Sequence, residues 1–295
     1  MTLPTPLLLS LLSLILLLSH SAANEGNILA TGDILPTDGQ LSYKDAAFVI
    51  QGDCNLVLYN KGNGFESNTH GSGTNCTLTF SDHGQLIIKN GQGLEVWSSP
   101  GGSKKGKYVA VLGPDGIVNV FGPSIWSTPP LSSPSAAIDA ELSNLPLVRN
   151  VLFSSQILHE NSKLTSRDYT LEITKDCNLE FTKASVGVVW QSETKGKGQH
   201  CFVRLDNNGR LAVVNDHYKV LWSSKRVGVE GQYVLVVQIN GQAVVYGPVV
   251  WSTVLIHHQN IILIWHESQG KIKLETSKIK SGTIQTPISA NLQSN

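Results

Sequence analysis

Residues 108–128, YVAVLGPDGIVNVFGPSIWST, return 125 positions later as residues 233–253, YVLVVQINGQAVVYGPVVWST. The offset of 125 also carries Cys76 to Cys201 and Trp97 to Trp222, so the chain is a tandem duplication. A shorter period lies inside each half. Phe65, Trp97 and Trp126 are spaced by 32 and 29 residues, and Trp190, Trp222 and Trp251 repeat the same 32 and 29. Each half is therefore three units of about thirty residues. A unit reads as an alternating strand, Gly or Asn turn chemistry, then an aromatic followed by small polar residues, as in Trp97-Ser98-Ser99 and Trp222-Ser223-Ser224. No helical period of useful length occurs. One such unit buries nothing alone, but three around a pseudo-threefold axis can point their aromatics inward as one core. The expectation is an all-β chain with one prism over residues 24–128 and another over 146–253.

The remaining segments frame these two bodies. Leu7 to Leu18 contains only leucine, isoleucine and serine, and Ser21-Ala22-Ala23 supplies the small residues of a signal-peptidase site. Residues 1–23 thus read as a secretory leader, too short in its apolar part to span a bilayer. The mature chain is expected to be secreted or vacuolar, a compartment in which Cys54, Cys76, Cys177 and Cys201 read as disulfides and none has metal spacing. Asn75-Cys76-Thr77 is a glycosylation sequon with a poor middle residue. Residues 129–145, rich in proline and serine, read as an exposed linker open to cleavage, and residues 254–295, which resemble neither half, as a C-terminal propeptide or poorly ordered tail.

Charge narrows the function. With 22 basic against 22 acidic residues the net charge is 0, and charged residues are 15% of the chain against roughly 25% in an ordinary globular protein. That balance offers no footprint for a phosphate backbone, which argues against nucleic acid as a partner. Residues 24–128 hold 6 basic and 9 acidic side chains and residues 146–253 hold 12 and 9, so the halves are oppositely charged and expected to attract modestly. No nucleophile–base pair or carboxylate dyad recurs, and His70, His83, His159, His200 and His217 are scattered, a pattern that does not suit an enzyme.

Gln51-Gly52-Asp53-Cys54-Asn55-Leu56-Val57-Leu58-Tyr59 alternates strictly. As a strand it places Gln51, Asp53, Asn55, Val57 and Tyr59 on one face and Cys54, Leu56 and Leu58 on the other, where Cys54 can bond to Cys76. A solvated polar stripe would account for such alternation. An Asp acceptor, two amides, a phenol and a small apolar floor are also the groups needed to read adjacent hydroxyls of a monosaccharide. Asp and Asn are disfavoured in strands, so folding alone does not explain them.

This motif, the intra-domain cysteine pair, the recurring tryptophans and the threefold unit resemble the monocot mannose-binding lectins, the bulb-type or snowdrop-like family. The duplicated layout looks like the two-domain storage lectins of aroid tubers. The resemblance implies two tandem β-prisms, each of three antiparallel four-stranded sheets, that bind mannose, oligomannose glycans or glycoproteins without metal or other cofactor. It implies that Asp53 and Asn55 hold the axial 2-hydroxyl, Gln51 the 3-hydroxyl and Tyr59 the 4-hydroxyl, with Val57 against the apolar ring edge. Since isolated sites of this kind are weak, it also implies assembly into a homo- or heterodimer of the two domains or a tetramer, giving a multivalent agglutinin. The rival expectation is a storage or taste-active protein of the same fold with lost sugar binding.

The other five positions equivalent to this motif are mostly altered. Residues 81–89 keep none of its polar groups, residues 113–121 keep only Asp115, and residues 206–214 are also lost. Residues 174–182 keep Asp176 and Asn178 but place Glu180 where a sugar needs an apolar contact. Gln238, Asn240, Gln242, Val244 and Tyr246 stay closer and form the candidate for a weak second site. Segments with continuous sugar chemistry are thus unequal between the halves, and the first half holds the complete set.

Overall fold

The computed structural model describes residues 26–62, 64–130, 149–225 and 228–253, together with strand residues between 262 and 289. The expected leader 1–23 and residues 131–145 of the expected linker lie outside the described residues. The chain divides into two units, Met1–Thr253 and Val254–Asn295.

The first unit is built from six four-stranded antiparallel sheets, and no described residue is helical. In the first half, Gln40–Tyr43, Ala46–Ile50, Leu56–Tyr59 and Phe65–Glu66 form one sheet, and Ile34–Leu35, Thr77–Phe80, Leu86–Lys89 and Glu95–Ser98 a second. Their counterparts in the second half are Lys163–Ser166, Tyr169–Ile173, Leu179–Lys183 and Gly187–Gln191, and Ile157–His159, Phe202–Leu205, Leu211–Val214 and Val220–Ser223. Alternate burial in Ala46–Ile50 and Thr77–Phe80 has the period of two of a strand: one face is apolar and buried, and the other, Ala47 and Val49 in the first and Thr77 and Thr79 in the second, is half-buried.

The third sheet of each half is completed by the other half. Ile28–Ala30, Val109–Leu112 and Val118–Phe121 pair with Val249–Ser252, while Val151–Phe153, Val234–Val237 and Ala243–Tyr246 pair with Ser124–Ser127. This corrects the expectation of two prisms that each close within 24–128 and 146–253. The aromatic triads cross with the strands. Trp251 meets Phe65 at 5.6 Å and Trp97 at 6.4 Å, whereas Trp126 meets Trp190 at 5.6 Å and Trp222 at 5.8 Å. These rings are half-buried and lie against the core, which itself is mainly aliphatic: Leu29, Leu41, Ile50, Leu56, Leu78 and Leu86 in the first prism.

The small polar residue two places after each aromatic has a structural reason. Its hydroxyl accepts the backbone N–H at or next to the head of a neighbouring strand: Ser67 from Leu56, Ser99 from Leu86, Ser192 from Leu179 and Ser224 from Leu211, all at 2.9–3.1 Å. The remaining two such bonds run between halves, Thr128 Oγ1 accepting from Ala243 at 3.1 Å and Thr253 Oγ1 from Val118 at 3.0 Å. Six buried N–H groups are thereby satisfied by one repeated device.

Where the exchanged sheets face each other, Ile28, Val109, Val111 and Phe121 pack on Val151, Val234, Val236, Val244 and Tyr246 as a third core. Within unit one the two prisms are therefore joined by apolar burial as well as by strands. Disulfides link Cys54 to Cys76 and Cys177 to Cys201, one in each half.

The second unit contains an antiparallel pair, Ile262–Ser268 with Lys271–Ser277, to which Ile288–Ser289 adds. The alternation Lys271-Ile272-Lys273-Leu274-Glu275 supplies the period of two that a strand requires.

Candidate functional site

The site is built on a hairpin. Ala46–Ile50 and Leu56–Tyr59 are antiparallel neighbours, with Val49 opposite Val57 and Ala47 opposite Tyr59. Gln51 to Asn55 is the turn between them, closed by Gln51 N–H to Asn55 O at 2.9 Å and Cys54 N–H to Gln51 O at 2.9 Å. The nine residues are thus not one continuous strand, which corrects the strictly alternating reading. Cys54 sits at φ 73, a left-handed conformation its disulfide to Cys76 holds in place. At the equivalent turn position four of the six repeats carry glycine, Gly84, Gly116, Gly209 and Gly241, all at positive φ. That recurrent glycine is the signal from which the turn could have been read.

The turn nonetheless gathers the expected side chains. Gln51 Nε2 donates to the Tyr59 hydroxyl at 2.6 Å, spanning Val57, which is half-buried beneath them. Asp53 is exposed; its Oδ1 accepts the Asn55 N–H at 3.0 Å, and its Oδ2 is left without a hydrogen bond from the described residues. Asn55 departs from the expected solvent-facing stripe, being only 6% exposed. Its Oδ1 accepts from Thr69 N–H at 3.2 Å and Ser67 Oγ at 3.1 Å, which fixes the amide's orientation, and its Nδ2 donates one hydrogen to Glu66 Oε2 at 3.5 Å. Thr69 in turn donates to the Cys54 carbonyl at 2.7 Å, tying the turn to the adjacent chain. Tyr59 is 51% exposed at the open end. The result is a row of one carboxylate acceptor, one oriented amide donor, one amide acceptor and one phenol, over an aliphatic floor. Such a row can bind hydroxyls and lacks any group poised as nucleophile or base. Among the described residues no group of three or more His, Cys, Asp or Glu could hold a metal ion, and no helix is long and apolar enough to cross a membrane.

The equivalent turn of the second half is internally occupied. Asn178 Nδ2 donates both to Glu180 Oε1 at 2.9 Å and to Gln191 Oε1 at 2.8 Å, so both of its amide hydrogens are engaged. Asp176 accepts from Thr174 Oγ1 and pairs with Lys195, and these hold its carboxyl below the usual range.

Gln238, Asn240, Gln242, Val244 and Tyr246 do not form the second site expected of them. Gln238 Nε2 does reach the Tyr246 hydroxyl, at 2.8 Å, but Tyr246 is 2% exposed and Val244 4%, both packed in the core between the prisms, while Gln242 donates to the Thr128 carbonyl at 3.2 Å. The first half's contribution to that core closes the face a sugar would need. Burial pushes the Tyr246 phenol up to about 12. Unfolded tyrosine ionises near 10, so this stabilisation is complete below pH ~10 and is lost as pH rises through the folded value, by about 2–3 kcal/mol. Phenolate absorbance followed with alkaline unfolding should show the loss over that window and a smaller one in Tyr246→Phe, since burial also raises Tyr108 and Tyr233.

Paired prisms with exchanged closing strands define a β-prism protein, and the hairpin's donors and acceptors are of the kind that can bind hydroxyls. Comparison with known proteins agrees. No protein-family model matches the chain. It is 53% identical over 253 residues to mannose-specific lectin 1 of Crocus vernus, covering 84% of this chain and 94% of that protein. It is 45% identical over 250 residues to mannose-specific lectin 2 of Colocasia esculenta, covering 84% and 94%. The two-domain, fetuin-binding agglutinin of Scilla campanulata superposes with a TM-score of 0.69 at 30% identity, covering 77% of this chain and 99% of that one. The chain belongs to the bulb-type mannose-binding lectins, and is a lectin rather than an enzyme.

Proposed function

We propose that the chain binds mannose at the Gln51–Tyr59 hairpin of its first half, without a metal ion. The observation that carries this reading is the division of labour in the turn. The amide of Asn55 is oriented by Thr69 and Ser67 so that Nδ2 is its donor, with one hydrogen directed to Glu66, and Asp53 beside it keeps one carboxylate oxygen unused, a donor–acceptor pair matched to one hydroxyl, the axial 2-hydroxyl. Gln51 and Tyr59, bonded to each other, keep an amide oxygen for the 3-hydroxyl and a phenolic proton for the 4-hydroxyl. Val57 receives the apolar ring edge. The mannose specificity of relatives in Crocus and Colocasia supports the same ligand. The chain reaches its glycans through the secretory pathway and gains avidity by pairing with further copies, because one shallow site per chain is weak.

Calorimetry with methyl α-mannoside should give heat that is unchanged by EDTA. Methyl α-glucoside, whose equatorial 2-hydroxyl leaves Asp53 and Asn55 imperfectly paired at about 1–3 kcal/mol per group, should bind at least ~10-fold more weakly. Absence of heat from the mannoside would leave a storage role for this fold and refute the proposal.

A further inference from the structure

We infer that Asn75 is an N-glycosylation acceptor, modified before the chain has folded and closed to modification once Cys54 has bonded to Cys76. Such a modification requires the secretory pathway proposed above for this chain. Asn75-Cys76-Thr77 is the only Asn-X-Ser/Thr triplet in the 295 residues.

The fold itself uses neither of the two side chains that the triplet needs. Asn75 is exposed and Thr77 half-buried, and neither side chain makes a hydrogen bond with described residues. Asn75 sits at φ 52, where asparagine is common, but His200 holds the equivalent position at φ 48. Thr77 heads the strand Thr77–Phe80, and Phe202 heads its counterpart Phe202–Leu205. A histidine and a phenylalanine therefore serve the same turn and strand in the second half. That half keeps the disulfide, Cys177 to Cys201, and lacks both the acceptor amide and the hydroxyl.

Transfer competes with closure of the fold. In the transfer, Asn75 Nδ2 bonds to the anomeric carbon of an oligosaccharide carried on a lipid pyrophosphate. The bond from that carbon to the phosphate oxygen breaks, the lipid pyrophosphate leaves with the electron pair, and the amide gives up one proton. The transferase has to hold residues 75–77 as an open segment, and in the finished fold they are not open. Cys76 is fully buried and bonded to Cys54, its carbonyl accepts from Thr37 Oγ1 at 2.8 Å, and Thr77 lies opposite Lys89 in the ladder. Lys89 follows Thr77 by 12 residues, about 1–2 s of synthesis at ~5–20 residues/s, and a disulfide takes seconds or longer to form. Transfer thus has a window of seconds, and the chain emerges in two forms. One form carries a bulky, hydrophilic group close to the Gln51–Tyr59 hairpin. Cys54 and Cys76 have Cα atoms 5.2 Å apart, and a peptide step of ~3.8 Å on each side holds the Asn75 Cα within about 13 Å of the Asp53 Cα.

The test is translation of the full chain in the presence of endoplasmic-reticulum microsomes. Protection from added protease reports entry, and a single glycosidase-sensitive increase in mass reports transfer. The protected chain should divide into a heavier and a lighter form, and Asn75→Gln or Thr77→Ala should leave only the lighter one. Cys54→Ser keeps the triplet but leaves Cys76 unpaired, and should move most of the lighter chains into the heavier form. Dithiothreitol added during translation should do the same to the unmutated chain, so the outcome does not depend on the variant folding. Protected chain without any heavier form overturns the inference, as does a heavier form that survives Asn75→Gln, or a division that neither Cys54→Ser nor reductant changes. A chain that stays open to the protease refutes the secretory reading itself, and the inference falls with it.

Discussion

Replacing Asp53 by alanine is expected to abolish retention on immobilised mannose, while Asp176→Ala leaves retention intact. Two effects add at Asp53. The unused oxygen is a charge-assisted acceptor, and losing one costs about 1.5–3 kcal/mol, or some tenfold to a hundredfold in affinity. The other oxygen accepts the Asn55 N–H at 3.0 Å, so its loss also loosens the turn that aims the Asn55 amide. A weak site on a matrix tolerates little of this. Asp53→Asn keeps an acceptor for the turn without the charge, and should fall between the two. Asp176 sits at the same repeat position, yet its neighbour Asn178 is held by Glu180 and Gln191, so nothing there depends on it. Affinity chromatography of the three variants decides the matter: equal loss from Asp53→Ala and Asp176→Ala, or no loss from either, would refute the ranking of the two turns.

The duplication and the threefold unit were legible in the sequence because each aromatic is followed two places later by a hydroxyl with a fixed task, and that coupling keeps the spacing. The candidate site residues stood out because Asp, Asn and Gln at alternate positions contradict strand preference and so need another reason. The turn at 51–55 was hidden because cysteine takes the left-handed position that glycine takes in four other repeats, and cysteine does not announce positive φ. The burial of Asn55 depends on Ser67 and Thr69 from the following segment, a tertiary contact that alternation within nine residues does not contain.

The seam between the prisms did leave a trace. Tyr108 to Leu112 and Tyr233 to Val237 are unbroken apolar runs, buried throughout, whereas Thr77-Leu78-Thr79-Phe80 alternates in both polarity and burial. An unbroken run marks a strand covered on both faces. The third repeat of each half fits that reading and meets the other prism, although Leu211–Val214 of a second repeat is just as apolar and buried, so the run alone does not locate the seam. The partner of each closing strand is different in kind. After a duplication, every acceptor exists twice, 125 residues apart, with matching local pattern. Only the path of the chain through space selects between Val118 and Ala243 as the neighbour of Thr128 or Thr253.

That exchange sets the second large effect. Trp251→Ala should destabilise the first prism, although the residue belongs to the second half of the sequence. Removing the ring deletes its edge contacts with Phe65 and Trp97 and opens the bottom of the aliphatic core, at about 3 kcal/mol, the low end for a tryptophan truncation because the side chain is half-buried. Amide exchange should accelerate most in Leu56–Tyr59 and Leu86–Lys89, with Leu179–Lys183 little changed. Trp126→Ala should show the mirror image, loosening the sheets around Trp190 and Trp222. Loss of protection confined to the mutated residue's own half would refute the exchange. The same wiring predicts the outcome of cutting the chain within residues 131–145. Each fragment would carry the closing strand of the other's third sheet, and the apolar core between prisms would remain buried. The cut protein should therefore run as one species in gel filtration and separate only under conditions that unfold both prisms.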